Sequence, residues 1–295
     1  MITLPLLRWY EANRRDIVWR TPATDAWGIL LSEVMSQQTP VRRVEPVWCE
    51  WMERWPTPAA LAAAGTDEVL RAWGRLGYPR RALRLQECAA AITERHDGQV
   101  PNNVDQLLAL PGIGDYTARA VAAFAYGCRV PVVDTNVRRV YRRLVEGRFL
   151  PGPPRRRDLS DIEKLLPSDP EQAPRFSVAL MELGALVCTA TRPKCADCPV
   201  RTDCAWQRAG RPDPTPEELG AAKKRVQKFA GTDRQVRGKI MAVLRGAHGP
   251  VARAEIDAVW PDAAQRSRAL LSLLTDGLVE DRGDGRIGLP LRGAR

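Results

Sequence analysis

The sequence predicts an all-α protein that ends in a small module of helices and a hairpin. Three observations carry this reading. Apolar residues recur at helical spacing between residues 27 and 187, no segment alternates long enough for a large sheet, and a polar stretch sets off a distinct tail. Trp27, Leu30, Leu31, Val34 and Met35 mark the first clear stripe. Leu61, Val69, Leu70 and Trp73 continue across a break at Gly65, and Ala82, Leu85, Ala89 and Ile92 form the next. Segments 104–110, 116–126, 137–145, 159–166 and 175–187 repeat the pattern. Residues 210–232, rich in Pro, Lys and Glu, read as a linker. Beyond it, Ile240, Val243 and Leu244 mark one helix, Ile256, Val259 and Trp260 a second, and Leu270, Leu271 and Leu274 a third. Two strand-like pieces, 278–282 and 286–289, flank the turn Gly283-Asp284-Gly285. Three helices and a hairpin predict a winged-helix-like module over 233–295.

Length and charge narrow the class. A chain of 295 residues can hold two or three domains with real cores. It carries 45 Lys and Arg against 35 Asp and Glu, a net charge of +10, and such a balance points to a polyanion such as nucleic acid. Residues 211–295 hold 16 basic and 11 acidic residues, half of the whole excess. No apolar run approaches the roughly 20 residues that span a bilayer. The segment MITLPLLRWYEANRRD lacks the basic start and apolar stretch of a secretory signal, so a cytoplasmic, nucleoid-associated protein is expected. Cys49, Cys88 and Cys128 lie scattered on apolar faces and are expected to be buried packing residues. The two histidines, His96 and His248, sit in loop-like segments, so proton transfers would fall to carboxylates, Tyr or Lys.

Four further cysteines carry the strongest signal. Cys188, Cys195, Cys198 and Cys204 lie within 17 residues in the spacing Cys-x6-Cys-x2-Cys-x5-Cys. Four thiolates select zinc or an iron–sulfur cluster. A zinc ribbon pairs two short knuckles across a longer gap. The single short knuckle here fits a cubane [4Fe-4S] cluster better, with a structural zinc clip as the alternative. The second signal is Leu110-Pro111-Gly112-Ile113-Gly114-Asp115-Tyr116-Thr117-Ala118, a tight hairpin between two helices. Gly112 and Gly114 let the backbone approach a ligand, and free N–H groups opening the next helix can hold a phosphate without reading sequence. This is the physics of a helix-hairpin-helix DNA anchor. The third is Val133-Asp134-Thr135-Asn136, followed by Arg138, Arg139, Arg142 and Arg143. Asp134 or Asn136 can simply cap the helix that follows, and the arginines can line DNA or solvate a helix face.

The hairpin, an Asp about 20 residues beyond it and the cysteine spacing together resemble the endonuclease III superfamily of DNA glycosylases. Within it, Ser32-Glu33-Val34-Met35-Ser36-Gln37-Gln38-Thr39 is similar to the signature of the MutY-type adenine glycosylases. The match extends through Leu76-Gly77-Tyr78, Val133–Asn136 and Met181-Glu182-Leu183-Gly184-Ala185, and covers about residues 8–206. The resemblance implies a six-helix barrel with the hairpin (22–134) and a cluster-bearing helical domain (1–21 and 135–209). It implies that Glu33 protonates a flipped adenine and that Asp134 stabilises the sugar cation, two carboxylates with opposed protonation demands. Helical periodicity alone puts Glu33 on a polar face. Tyr116 and Asn136 match supporting positions. Gln38 and Tyr78 match residues that wedge into the duplex, Thr39 a contact near the opposing purine, and Arg20 and Glu182 pocket positions. Strand-nicking relatives carry Lys where this chain has Tyr116. A phenol forms no Schiff base, so base removal without an efficient lyase step is implied.

Three departures stand out. Ser36 replaces the family's usual Leu, and Thr135 its usual Gly. The tail is shorter than the domain that usually checks for 8-oxoguanine, as in some high-arginine bacterial members. The reading is therefore a monofunctional adenine glycosylase acting on A opposite 8-oxoguanine or G, a monomer on duplex DNA. A thymine or uracil glycosylase acting opposite G, and a mismatch sensor without chemistry, are the alternatives. The cluster is expected to be structural, holding Arg192 and Lys194 toward phosphate.

Overall fold

The computed structural model describes residues 2–223 and 229–291. Residues 224–228 of the expected linker and 292–295 of the expected tail module lie outside the described residues. The helices in order are α1 (Thr3–Asn13), α2 (Ala26–Ser36), α3 (Val41–Arg54), α4 (Pro58–Ala63), α5 (Thr66–Trp73), α6 (Arg80–Arg95), α7 (Val104–Leu108) and α8 (Asp115–Tyr126). There follow α9 (Thr135–Leu144), α10 (Asp158–Glu163), α11 (Gln172–Leu186), α12 (Ala205–Arg208) and α13 (Pro216–Lys223). Thus a helix forms within the segment that composition marks as a linker. The chain folds as two compact units, Met1–Asp16 with Asn102–Val104 and Gly114–Val226, and Ile17–Pro101 with Asp105–Ile113 and Gln227–Arg295.

In the first unit, Leu6, Leu7 and Tyr10 of α1 pack with Val137, Val140 and Leu144 of α9 and with Phe176, Leu180 and Leu183 of α11. The apolar faces recur at three- and four-residue spacing, which joins three amphipathic helices around one core. Gly184 is what lets α11 meet α9. A Cβ there would stand 2.7 Å from Asn136 Cβ and 3.0 Å from its carbonyl oxygen.

In the second unit, the Asp25 carboxylate accepts from Gly28 N at 2.8 Å and starts α2. Trp48 of α3 donates its indole N–H to Gly28 O at 2.8 Å, so α2 and α3 meet at a residue without a side chain. Trp51 stacks edge-on against Trp55 and Trp73, and Trp27 donates to Trp55 O, which pins α3 to α5 and α2.

The tail module also belongs to the second unit. It consists of α14 (Asp233–Gly246), β1 (Val251–Ala252), α15 (Arg253–Asp257), α16 (Ala263–Thr275), β2 (Glu280–Asp281) and β3 (Arg286–Gly288). The three short strands pair antiparallel in the order β1-β3-β2, with Val251 and Asp281 both opposite Ile287. Helix, strand, two helices and a hairpin is the winged-helix order. Strand β1 has no counterpart in the sequence reading, because two residues are too few to show alternation. Leu271 is exposed rather than part of the apolar stripe, and Val259 and Trp260 lie beyond the end of α15.

Candidate DNA-binding and active site

Besides Asp97, two non-glycine residues of the second unit adopt a left-handed backbone that side chains disfavour: Gln38 at φ +53° and Tyr78 at φ +47°. Both are exposed, and each follows the end of a helix, α2 and α5 respectively. Arg81 of α6 holds both turns. Its Nη1 donates to the carbonyls of Val34, Met35 and Gln37 at 2.7, 3.1 and 2.8 Å. Its Nη2 donates to Thr39 Oγ1 and to the carbonyls of Leu76 and Gly77 at 3.1, 3.3 and 3.1 Å. One guanidinium therefore satisfies the C-terminal carbonyls of α2, a position the helix dipole favours for a cation. It also ties them to the loop bearing Tyr78. The guanidinium lies over the Trp73 ring at 5.1 Å. Thr39 is buried, with its hydroxyl 3.2 Å from Leu76 O, so it braces the same two turns. Glu33 is half-buried on α2, and Arg20 is half-buried at the end of the short 3-10 turn Val18–Arg20.

The hairpin glycines differ in what they do. Gly112 has φ +75°, and a Cβ there would stand 2.7 Å from Arg84 Cβ, so both conformation and packing on α6 require glycine. Gly114 caps α8 in an extended conformation, with nothing within 4 Å of a Cβ position. Its surroundings are open, as a backbone that meets a ligand needs. A cavity of about 250 Å³ lies beside Gly112, lined also by Arg80, Arg81, Arg84, Gln37 and Pro111.

The first unit carries the second carboxylate. Asp134 caps α9, accepting from Val137 N at 2.7 Å on Oδ1 and from Asn136 Nδ2 at 2.8 Å on Oδ2. Burial raises its carboxyl above the ordinary Asp range, against the pull of those donors and of the Arg139 charge. Arg139 in turn donates to Asn136 Oδ1 (2.7 Å), Gly184 O (2.6 Å) and Cys188 O (2.7 Å). A continuous chain of hydrogen bonds thus runs from Asp134 to the backbone of Cys188. Tyr116 is half-buried and packs against Ala120, Ala123 and Val132, two residues before Asp134. Glu182 is fully buried, and Arg15 holds both of its carboxylate oxygens at 2.8 Å and donates its backbone N–H at 2.9 Å.

The arginines after Asp134 neither line a surface nor solvate a helix face. Arg138 pairs with Asp158 at 3.1 Å and Arg142 with Glu146, and Arg139, Arg142 and Arg143 are buried. Arg143 donates to Phe149 O, Thr189 O and Ala190 O and to Cys188 Sγ at 3.3 Å. Among the described residues it has no carboxylate partner. Cys188, Cys198 and Cys204 all pack against the core of this unit. Burial pushes the Cys198 thiol up to about 11, and Cys188, Cys204 and Cys195 add to the rise. Four neighbouring thiols beside a buried guanidinium without a carboxylate suit an anionic metal–thiolate group. Among the described residues, no three His, Cys, Asp or Glu side chains converge as the ligands of a single ion do. Of the other cysteines only Cys88 is buried. Cys49 is exposed, because the α3 face it occupies points to solvent, and Cys128 is half-buried beside Asn102 O. His96 lies just past the end of α6, as its C-cap and the first residue of the loop.

Sequence reasoning does not find Arg81, and it names Arg139 and Gly184 without the roles the structure gives them. Gly184 had a signal, since an isolated glycine inside an apolar helix usually marks close packing. Arg139 stands one turn after Asn136, and Arg81 had no distinguishing mark among its neighbours.

Residues 31–149 match the family of HhH-GPD superfamily base excision DNA repair proteins. The chain is 59% identical over 285 residues to an adenine DNA glycosylase of Mycolicibacterium smegmatis, covering 96% of this chain and 94% of that one. It is 56% identical to an adenine DNA glycosylase of Mycobacterium tuberculosis, covering 98% and 93%. Both matches are long enough to include the tail module. Among solved structures, a thermostable thymine-DNA glycosylase superposes with a TM-score of 0.63 at 26% identity, covering 70% of this chain and 94% of that one. Described among its residues is no helix long and apolar enough to cross a membrane. The chain belongs to the adenine DNA glycosylase family, within the HhH-GPD superfamily of base excision DNA repair proteins.

Proposed function

We propose that the chain is a monofunctional DNA glycosylase that removes adenine paired with 8-oxoguanine or guanine in duplex DNA. The observation that carries the chemistry is the environment of Asp134. Its carboxylate is capped by two donors yet buried enough that its proton is held more tightly than usual. An anion that burial destabilises is relieved by a cation developing beside it. Positive charge forms on the sugar only as the glycosidic bond breaks, so the relief falls in the transition state and not in the ground state. Glu33 protonates the adenine and makes it a leaving group. Full-length relatives at 56% and 59% identity bear adenine names, which favours adenine over thymine.

The wedge residues Gln38 and Tyr78 fill the stack that the flipped nucleotide vacates. Their disfavoured backbone turns suit this role, since strain of about 1–3 kcal/mol per residue persists where the surroundings over-determine it. The N–H groups opening α8 take a phosphate after Gly114. Tyr116 offers no amine, so the product is an abasic site in an unbroken strand. Cys188, Cys195, Cys198 and Cys204 hold a [4Fe-4S] cluster, which when bound would fix the loop carrying Arg192 and Lys194.

The test is base release from a panel of duplexes: A opposite 8-oxoguanine, A opposite G, T opposite G and U opposite G. Release of adenine, with strand cleavage appearing only after alkali, is the expected outcome. Release of thymine or uracil alone would replace the reading with the sister activity, and tight mismatch binding without release would make the chain a sensor.

A further inference from the structure

The tail module is latched to the rest of its unit at both ends of α14. Arg71 of α5 donates to the carbonyls of Leu244, Arg245 and Ala247 at 3.3, 2.6 and 2.6 Å, closing the C-terminal end of α14. Asp276, just past α16, takes Arg80 from the start of α6 at 3.2 Å and Arg237 of α14 at 2.6 Å. These contacts bring Arg234, on the first turn of α14, over the ring of Tyr78, with the guanidinium carbon 4.6 Å from the ring centroid. The same guanidinium lies 5.7 Å from the ring of Phe229, which is itself exposed. Arg234 is exposed and has no carboxylate partner among the described residues. A module distant in sequence thus lays a cation with unspent donors on the exposed tyrosine assigned above to the duplex wedge.

We infer that the tail module forms part of the lesion-recognition surface, and that Arg234 contacts the purine left opposite the flipped adenine. This rests on the wedge assignment of Tyr78. A side chain that fills the vacated stack lies beside the widowed purine, so whatever lies over that side chain is at the same place. A guanidinium over an aromatic ring keeps its five donors at its rim. Guanine presents O6 and N7 as two acceptors on one edge, which a guanidinium fork engages through two donors; in 8-oxoguanine N7 carries a hydrogen, and the carbonyl oxygens O6 and O8 are the acceptors on that edge instead. A phosphate could use the same fork, but it lies outside the base stack in which a wedge is seated. The module is therefore both a latch on Tyr78 and a contributor to opposite-base choice.

The test uses the full chain with Arg234→Met and Arg234→Lys. Because Arg234 is exposed, both should melt with the wild type, which is checked by thermal unfolding. Single-turnover adenine release is then measured opposite 8-oxoguanine, opposite guanine and opposite an abasic analogue, at several salt concentrations. The expected result is a loss on the order of tenfold opposite the purines and little change opposite the abasic analogue. Arg234→Lys should not restore the purine rate, since an ammonium lacks the fork. A uniform loss across all three partners, restored by Lys and accompanied by a shallower salt dependence, would overturn the base contact in favour of a phosphate contact. Unchanged rates in Arg234→Met would remove the module from the recognition surface altogether. Failure of the wild type to release adenine would instead defeat the functional reading beneath it.

Discussion

Replacing Arg81 by Met should show what holds the turns bearing Gln38 and Tyr78 in place. The guanidinium makes six hydrogen bonds to two turns, and Met keeps the aliphatic packing while removing every donor. Val34 and Met35 are buried, so water cannot replace the lost donor at their carbonyls. The Met35 carbonyl is left orphaned, at about 1–3 kcal/mol, whereas the Val34 carbonyl keeps the 3.4 Å bond from Gln37 N and loses less. Water can reach Gln37 and Gly77, so those losses are small. Some strain at Gln38 and Tyr78 is released when the clamp opens, which offsets part of the cost. A net loss of about 2 kcal/mol follows, or roughly 4–8 °C in melting temperature for a chain of this size. The functional loss should exceed the effect of stability alone, because positioning errors of about 1 Å can cost on the order of a hundredfold in rate. Well below the melting point and at saturating enzyme, adenine release by Arg81→Met should fall at least about tenfold. Arg81→Lys should recover only part of either loss, since one ammonium cannot span both turns. A variant that melts within about 2 °C of the wild type and releases base at the same rate would refute the clamp.

Other expectations follow from the first unit. Burial raises the Asp134 carboxyl, so the folded state holds that proton more tightly than the unfolded chain, and this group's contribution to stability falls as pH rises from the ordinary Asp value through the raised one. Denaturant titrations should therefore show the wild type gaining on Asp134→Asn as pH is lowered through that window; a pH-independent difference would contradict the raised carboxyl. Gly184→Ala should cost about 1–3 kcal/mol by forcing α11 off Asn136, and should slow base release through the Asp134 cap. An unaltered melting curve in that variant would show that α9 can yield without cost. Cys198→Ser should lower soluble yield, the visible absorption of an iron–sulfur chromophore and DNA affinity together. Normal stability with normal binding would deny the cysteines a structural role.

The fold was readable where local pattern and tertiary demand agree. The stripe Trp27, Leu30, Leu31, Val34 and Met35 is α2, and all five residues are buried. The helices around the hairpin and α9 and α11 lie where the apolar periodicity puts them. Val41–Arg54 was harder to read, because Pro46 and six charged residues dilute a stripe that rests on Val44, Trp48 and Trp51. Strand β1 owes its existence to pairing with β3, which no local property of Val251 and Ala252 announces. The arginines of α9 mislead for a similar reason. A basic helix read alone looks solvated, whereas carboxylates and carbonyls from distant segments bury these side chains. Asp134 shows that two readings can hold together: the residue does cap its helix, and capping leaves the carboxylate buried and anchored. Glu33 is the opposite case. Neither periodicity nor its half-buried place on α2 distinguishes it, and only the motif around it does.

The central claim is that a carboxylic acid at position 33 makes adenine a leaving group. Single-turnover release of adenine from a duplex with A opposite 8-oxoguanine, by the wild type and by Glu33→Gln side by side, tests it most directly. The account predicts free adenine from the wild type and none above background from the variant, with DNA binding retained by both. Release at an undiminished rate from Glu33→Gln would contradict it.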